Sequence, residues 1–315
     1  MAITILKIQG SDIYDITDVC SSVGRRSSES EISEELSFEI KGNHLSEGDK
    51  VSFREDGQEI FKGIVVSVDG DKDIKDITCF DFGWYLNKNE DTYQLNASCS
   101  DCIGRICRDH GVPVGNIVSM NTVYKKVKRG KLSELIKDII EYHEKSTGVK
   151  HIWYMFKNKF YVEKQIQNPV KYITKVNNLP VDVMELLSDV KISSSIEDLY
   201  NAIKVTNQED NSIKTLAYAE DKNSIAKYGR LQKLETVTKE EVKNSKNIAS
   251  GQLKLLNKTS KQISVTLLGV SDCRANKILV IDNDIIGIKG KYIIKSCSHD
   301  YRKSIHLMDL SLEEL

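Results

Sequence analysis

Residues with metal-ligand chemistry crowd one short stretch: Cys99-Ser100-Asp101-Cys102, with Cys107 and His110 close behind. Thiolate sulfur and imidazole nitrogen are ligands of tetrahedral zinc, which needs four such groups converging on one ion. The spacing here is i, i+3, i+8 and i+11. The surrounding sequence reads as a single helix capped by Ser100 and ending near His110-Gly111, with Ile103, Ile106 and Cys107 on one face. At a rise of ~1.5 Å per residue the outer ligands lie more than ~10 Å apart, so no metal site is expected.

Other reactive residue types lack the partners their chemistry needs. His143-Glu144 has no second helical histidine, as a zinc peptidase would require, and is expected on the solvated edge of its helix. His299-Asp300 and His306 fall in a β region beside Cys297 and Ser298, away from any strand-to-helix turn that would present a nucleophile. Residues adjacent along a strand face opposite sides, which argues against a dyad. Glu240-Glu241 opens a helix and Glu313-Glu314 lies at the C-terminus, and neither setting is apolar enough to raise a carboxyl pKa for acid catalysis. The glycines at 10, 24, 42 and 48 are isolated, so no phosphate loop is expected. The reading is a chain with no catalytic residue, no metal and no cofactor.

Composition bounds the class. A chain of 315 residues exceeds one ordinary core, so two or three domains are expected. The formal net charge of −1, with acids and bases interspersed, argues against a dedicated nucleic-acid surface. The segment Met1-Ala2-Ile3-Thr4-Ile5-Leu6-Lys7-Ile8 has no cationic leader region, and no apolar run reaches the length of a membrane span, so synthesis in the cytosol is expected. Seven cysteines, an odd number scattered along the chain, read as reduced thiols. Three prolines and no Ser- or Gly-rich tract leave little room for a flexible linker.

The elements that must position these residues show an internal echo. The stretch from Lys50 to Val68 reappears from Lys277 to Lys295 at a constant offset of 227 residues. Lys50-Val51-Ser52-Phe53 answers Lys277-Ile278-Leu279-Val280, and Asp56-Gly57, a two-residue hairpin signal, falls opposite Asn283-Asp284. Phe61-Lys62-Gly63 matches Ile288-Lys289-Gly290, where a glycine suits a bulge or sharp bend. With one extra residue in the next turn, Ile77-Thr78-Cys79-Phe80-Asp81-Phe82 matches Ile305-His306-Leu307-Met308-Asp309-Leu310. Two readings stay open at this point, a duplication or the generic likeness of two meanders.

Between the echoes the period changes from 2 to 3.6. Leu132, Leu135, Ile136, Ile139 and Ile140 form a helical stripe stopped at Gly148. Ile152-Trp153-Tyr154-Met155-Phe156 and Phe160-Tyr161-Val162 form an aromatic hairpin across Lys157-Asn158-Lys159. Further on, Val190-Lys191-Ile192 and Ala202-Ile203-Lys204-Val205-Thr206 read as strands. Thr238-Lys239-Glu240-Glu241 is a capping box, with Val242, Ser245, Ala249, Leu253 and Leu256 striping the helix behind it, a helix expected to lie against a barrel.

Several strings together resemble a known family. Gly48-Asp49-Lys50-Val51, Phe61-Lys62-Gly63-Ile64-Val65 and Phe80-Asp81-Phe82-Gly83-Trp84-Tyr85-Leu86 are similar to the N-terminal module of baseplate hub proteins of contractile phage tails, in particular those of PBSX-type defective prophages. The likeness continues through the run from Ser195 to Val205, Ile225-Ala226-Lys227-Tyr228-Gly229-Arg230-Leu231-Gln232, and Gly287-Ile288-Lys289-Gly290-Lys291-Tyr292-Ile293-Ile294 followed by Ser298-His299. It covers nearly the whole chain in the right order. Each string alone is a weak β signature, and their order and spacing carry the specificity.

The resemblance implies an α+β, mainly β chain. Two related β-barrel tube modules, 1–92 and 191–315, flank an α/β domain at 93–190, with a helical insertion about 238–257. It also implies a homotrimer whose six barrels form a pseudo-sixfold ring between a hexameric tail tube protein and a trimeric spike protein, a solution shared with the spike hubs of type VI secretion. Other baseplate and LysM-type tail proteins are the further partners implied. Assembly is expected in the bacterial cytoplasm, and the final location is the baseplate of a phage tail or tail-like bacteriocin. With no hydrolase or spike extension read after the Met308-Asp309-Leu310-Ser311-Leu312 strand, spike and lytic activities are expected to belong to other chains. The rival readings are a tail-tip peptidoglycan hydrolase, which needs a site absent from the sequence, and a cytosolic β-rich binding module.

Overall fold

Alternation of buried and exposed residues builds two antiparallel meanders. The computed structural model describes residues 2–165, 170–172, 190–209, 212–238, 242–283, 288–302 and 305–315. The first meander is β5 (Lys50–Glu55), β6 (Gln58–Gly70) and β7 (Ile74–Asp81). Asp56 and Gly57 join its first two strands with φ of 46° and 80°, as a two-residue hairpin of this hand requires. The second meander is β19 (Ile278–Asn283), β20 (Ile288–Arg302) and β21 (Ile305–Glu314).

Their registers match at the level of defects. The β6–β7 ladder slips between Val65 and Ser67, and the β20–β21 ladder slips between Ile294 and Ser296. With these bulges superposed, the pairings carry Val51, Phe53, Val65, Ile77 and Cys79 onto Leu279, Ile281, Ile294, Leu310 and Leu312. All ten are buried, five in each of two core clusters. The fixed offset of 227 therefore misassigns partners. Asn283 pairs with Ile288 and Glu55 with Gln58, so four positions separate the last paired residues of the second hairpin where two separate those of the first. The expected Asn283-Asp284 turn thus extends outside the described residues.

The two glycines that mark the echo serve different ends. A Cβ on Gly63 would stand inside contact distance of the Phe80 carbonyl and 2.7 Å from the Phe61 ring, so only glycine lets β6 approach β7 there. Gly290 instead adopts a φ of +150°.

The meanders belong to one open sheet. β3 (Cys20–Ser28) pairs with β4 (Glu35–Lys41), which pairs with β7. On its other side β3 pairs with the C-terminal half of β20, from Ser296↔Ser28 to Tyr301↔Val23. Beyond β5 lie β1 (Ile3–Gln9) and the edge strand β2 (Asp12–Asp15). Among the described residues this path runs from edge to edge and closes no barrel. β20 is 15 residues long, and this length lets one strand serve both meanders.

By compactness the chain divides into two units, one of 1–140, 150–191 and 263–315 and the other of 141–149 and 192–262. In the first, β8 (Glu90–Ser98) and β10 (Val123–Lys131) form a two-stranded ribbon, and the helix Cys99–Asp109 packs on it. Its cap is Ser98, whose hydroxyl accepts from the Asp101 amide, and not the expected Ser100. The aromatic hairpin pairs His151–Phe156 with Lys159–Lys164 across Lys157 and Asn158, both at positive φ.

The helix Leu132–Thr147 stops at Gly148, φ 71°. His143 is buried on it, not on a solvated edge, because it continues the stripe at i+11 from Leu132. In the second unit, Ala202–Glu209 lies between Ser212–Glu220 and Gln232–Thr236. The helix Ser245–Leu256 packs on this small sheet through Ile248, Ala249, Leu253 and Leu256, and among the described residues no barrel lies beneath it. Three residues of the predicted capping box, 239–241, lie outside the described residues. Among the described residues no helix is long and apolar enough to cross a membrane.

Replacing Gly63 by Ala is expected to destabilise the protein by about 1–3 kcal/mol through overpacking. The midpoint of urea unfolding measures this, and an unchanged midpoint would show that β6 does not need the close approach.

Candidate functional site

Where β3 meets β20, the register sets Arg25 directly opposite His299. Arg25 is fully buried, and its Nη2 donates to the Ser271 carbonyl at 2.8 Å and lies 2.9 Å from His299 Nε2. His299 Nδ1 is 2.8 Å from His306 Nε2, and His306 Nδ1 is 3.2 Å from Glu55 Oε1. Ser271 donates its hydroxyl to the other Glu55 oxygen. Glu34 lies 3.5 Å from Arg25 Nε. The result is a chain of polar groups from β3 through the second meander to the end of β5.

With the His299 imidazole neutral, one proton order satisfies every link of the chain. Arg25 donates to His299 Nε2, His299 Nδ1–H donates to His306 Nε2, and His306 Nδ1–H donates to Glu55. The Cys273 carbonyl, 2.9 Å from His299 Nε2, is the contact this order leaves without a proton. Burial, and then the Arg25 charge, hold His299 well below the usual imidazole range. Burial alone would raise the Glu55 carboxyl, but hydrogen bonds from His306 and Ser271 outweigh it and hold it below its ordinary value. Burial pushes Cys273 to about 12 and Cys297 well above the usual thiol range.

Packing locks this chain in place. Tyr301 stacks over His306 at 4.2 Å and meets Phe53 edge-on at 4.8 Å. Along β20, Cys297 belongs to the second core and Tyr301 to the first, with His299 between them. Neither histidine is accessible to a substrate and both neighbouring thiols are protonated, so the chemistry these groups support is internal pairing of a buried charge.

The cysteine-rich helix does not gather ligands. Cys99, Cys102 and Cys107 are buried with thiols pushed up by that burial, Cys99 and Cys107 to about 12. Cys102 donates to the Ala97 carbonyl, and His110 faces Asp91 at 3.3 Å. Among the described residues no three His, Cys, Asp or Glu side chains could hold a metal.

Sequence reasoning missed the His299–His306 pair. Adjacent strand residues do diverge, but His299 stands opposite Met308 and His306 opposite Tyr301, so the histidines are diagonal neighbours on one face. The readable signal was Cys297-x-His299-x-Tyr301 at period 2, with His306 five residues further on.

In the second unit, two of the strings singled out in the sequence are clamped together. Asn201, fully buried, donates from Nδ2 to the Gly229 carbonyl at 2.7 Å and accepts from the Leu231 amide at 2.8 Å.

With this geometry in view, comparison with known proteins gives a consistent picture. The model of the YQBQ-like family matches residues 25–313. Two Bacillus subtilis (strain 168) proteins align over 280 residues, 86% of this chain and 82% of each: YqbQ at 28% identity and the phage-like element PBSX protein XkdQ at 25%. The 43 kDa tail protein of prophage MuSo2 from Shewanella oneidensis has a similar fold, with a TM-score of 0.65 over 98% of both chains at 14% identity.

Two outcomes follow from the buried chain. Arg25→Met leaves Glu34 and the histidine chain uncompensated and is expected to cost about 3–5 kcal/mol, partly recovered in Arg25→Met/Glu34→Gln. A loss under about 1 kcal/mol on chemical denaturation would contradict the pairing. Because the folded pKa of His299 is depressed, an unfolded chain takes up its proton below about pH 6.5 while the folded one does not, so stability falls as pH drops through that region. Glu55, also depressed, acts in a separate window below its ordinary value of about 4.3. From pH 7.5 to 5.5 the wild type should lose about 1.4 kcal/mol more than His299→Gln. Parallel pH profiles would show that His299 protonates freely in the folded state.

Proposed function

The chain belongs to the YQBQ-like family, and on that premise we propose that it is a structural baseplate hub protein of a contractile phage tail or phage-tail-like particle. A relative named as a protein of a phage-like element and a fold like that of a prophage tail protein support a tail-associated structural role. The observation that carries the hub reading is the pair of meanders with equivalent registers, bulges and core positions in one sheet.

Under this reading three chains form a ring, each giving one module from 1–92 and one from 191–315. Six modules then face a hexameric tube, while the threefold symmetry suits a trimeric spike. The region 93–190 lies at the periphery or against neighbours, and other baseplate and LysM-type tail proteins are further partners. An architectural role is consistent with the polar cluster around His299 being buried inside the sheet. The chain is made in the bacterial cytoplasm and ends in the particle.

Quantitative mass spectrometry of sedimented particles, counting this chain against the tube protein, tests the proposal. Three copies per particle are expected. A chain absent from particles and left in the soluble fraction would overturn it.

A further inference from the structure

Among the strand edges of the first unit that the described residues leave unpaired, two carry opposite charge. β2 ends the large sheet and among the described residues pairs only with β1. Its four residues, Asp12-Ile13-Tyr14-Asp15, are all exposed, and Ile13 and Tyr14 at 59% and 49% are large apolar side chains with no cover. Asp15 is held at the edge by the amide and hydroxyl of Thr17, at 3.0 and 2.6 Å. β10 pairs only with β8 among the described residues, so its far edge is also open. It bears five cations and no acid, at Lys125, Lys126, Lys128, Arg129 and Lys131. Lys128 is spent on Asp138 at 3.1 Å, while Lys125 and Arg129 alternate on the exposed face with Val123 and Val127, which are 58% and 69% exposed.

An open edge is a template for another strand, and natural sheets normally blunt theirs. We propose that β2 of one copy pairs with the open edge of β10 in a second copy of this chain. The alternation fits on both faces: Asp12 and Tyr14 lie on one side of β2 and Ile13 and Asp15 on the other, and β10 offers cations on both sides with valines on one. Because the two edges are different surfaces of one molecule, the contact runs head to tail, and such contacts build rings when the rotation closes. The choice of a second copy rests on the trimeric reading above.

Charge reversal tests this. In native mass spectrometry at micromolar concentration the wild type is expected at three chain masses. Asp12→Lys/Asp15→Lys and Lys126→Glu/Arg129→Glu, each pair three residues apart and so on opposite faces of its strand, should each fall to one chain mass, and the fourfold variant, with both charges exchanged, should return to three. Either double variant remaining trimeric, or a fourfold variant that stays monomeric, overturns the proposal. As a second readout, Ile13→Cys/Val127→Cys chains in particles, treated with a short bismaleimide, should crosslink to one another, whereas the two single variants should not. No crosslink, or a crosslink to a different protein, overturns the interface. Particles that keep three copies of Asp12→Lys/Asp15→Lys reject this interface and leave the hub reading standing. Particles without the wild-type chain reject the hub reading itself.

Discussion

A fully buried guanidinium, Arg25, is the constraint around which the sheet is organised. Removing such a charge from water is costly unless hydrogen bonds and opposite charge surround it. Here the compensation comes from three separate places in the chain: Glu34 before β4, Glu55 through two histidines, and the Ser271 carbonyl. These groups meet only if β3 pairs with β20 in one register. A slip of one residue would turn Arg25 to the opposite face and leave His299 facing nothing. The polar chain therefore acts as a register key for the strand pair that joins the two meanders.

That key explains why one long strand crosses both cores. β20 gives Cys297 and Ile294 to the core beneath its own meander and Tyr301 to the core of the other. The apolar clusters supply the bulk of the stabilisation, as burial of this kind does in general. They are tolerant of small shifts, however, and directional hydrogen bonds are not. Specificity at the joint thus falls to the polar groups and stability to the residues on either side.

Much of this was legible from residue pattern alone. Asp56-Gly57 dictates its turn because both positions need positive φ, and the stripe from Leu132 to Ile140 with Gly148 behind it dictates a helix and its end. The two meanders were visible as an echo, but only the bulges at Val66 and Lys295 reveal which residues correspond. A constant offset cannot absorb loops of different length. The histidine pair was hidden for a related reason: along one strand the neighbours of His299 diverge, and its real neighbour stands on the paired strand. His143 was misplaced because a polar residue at the end of an apolar stripe was read by type and not by position.

In function the same features converge on architecture. On the proposed hub reading, equivalent meanders within a single chain would let a threefold assembly present sixfold contacts, and the buried polar joint fixes the register of the strand pair that links them. The measurement that bears most directly on this is a cryo-electron microscopy map of the particle's tail tip. Three copies of this chain, each placing both meanders against the tube so that six similar modules surround the axis, is the expected result. A ring in which each chain contributes only one meander to the tube contact would contradict it.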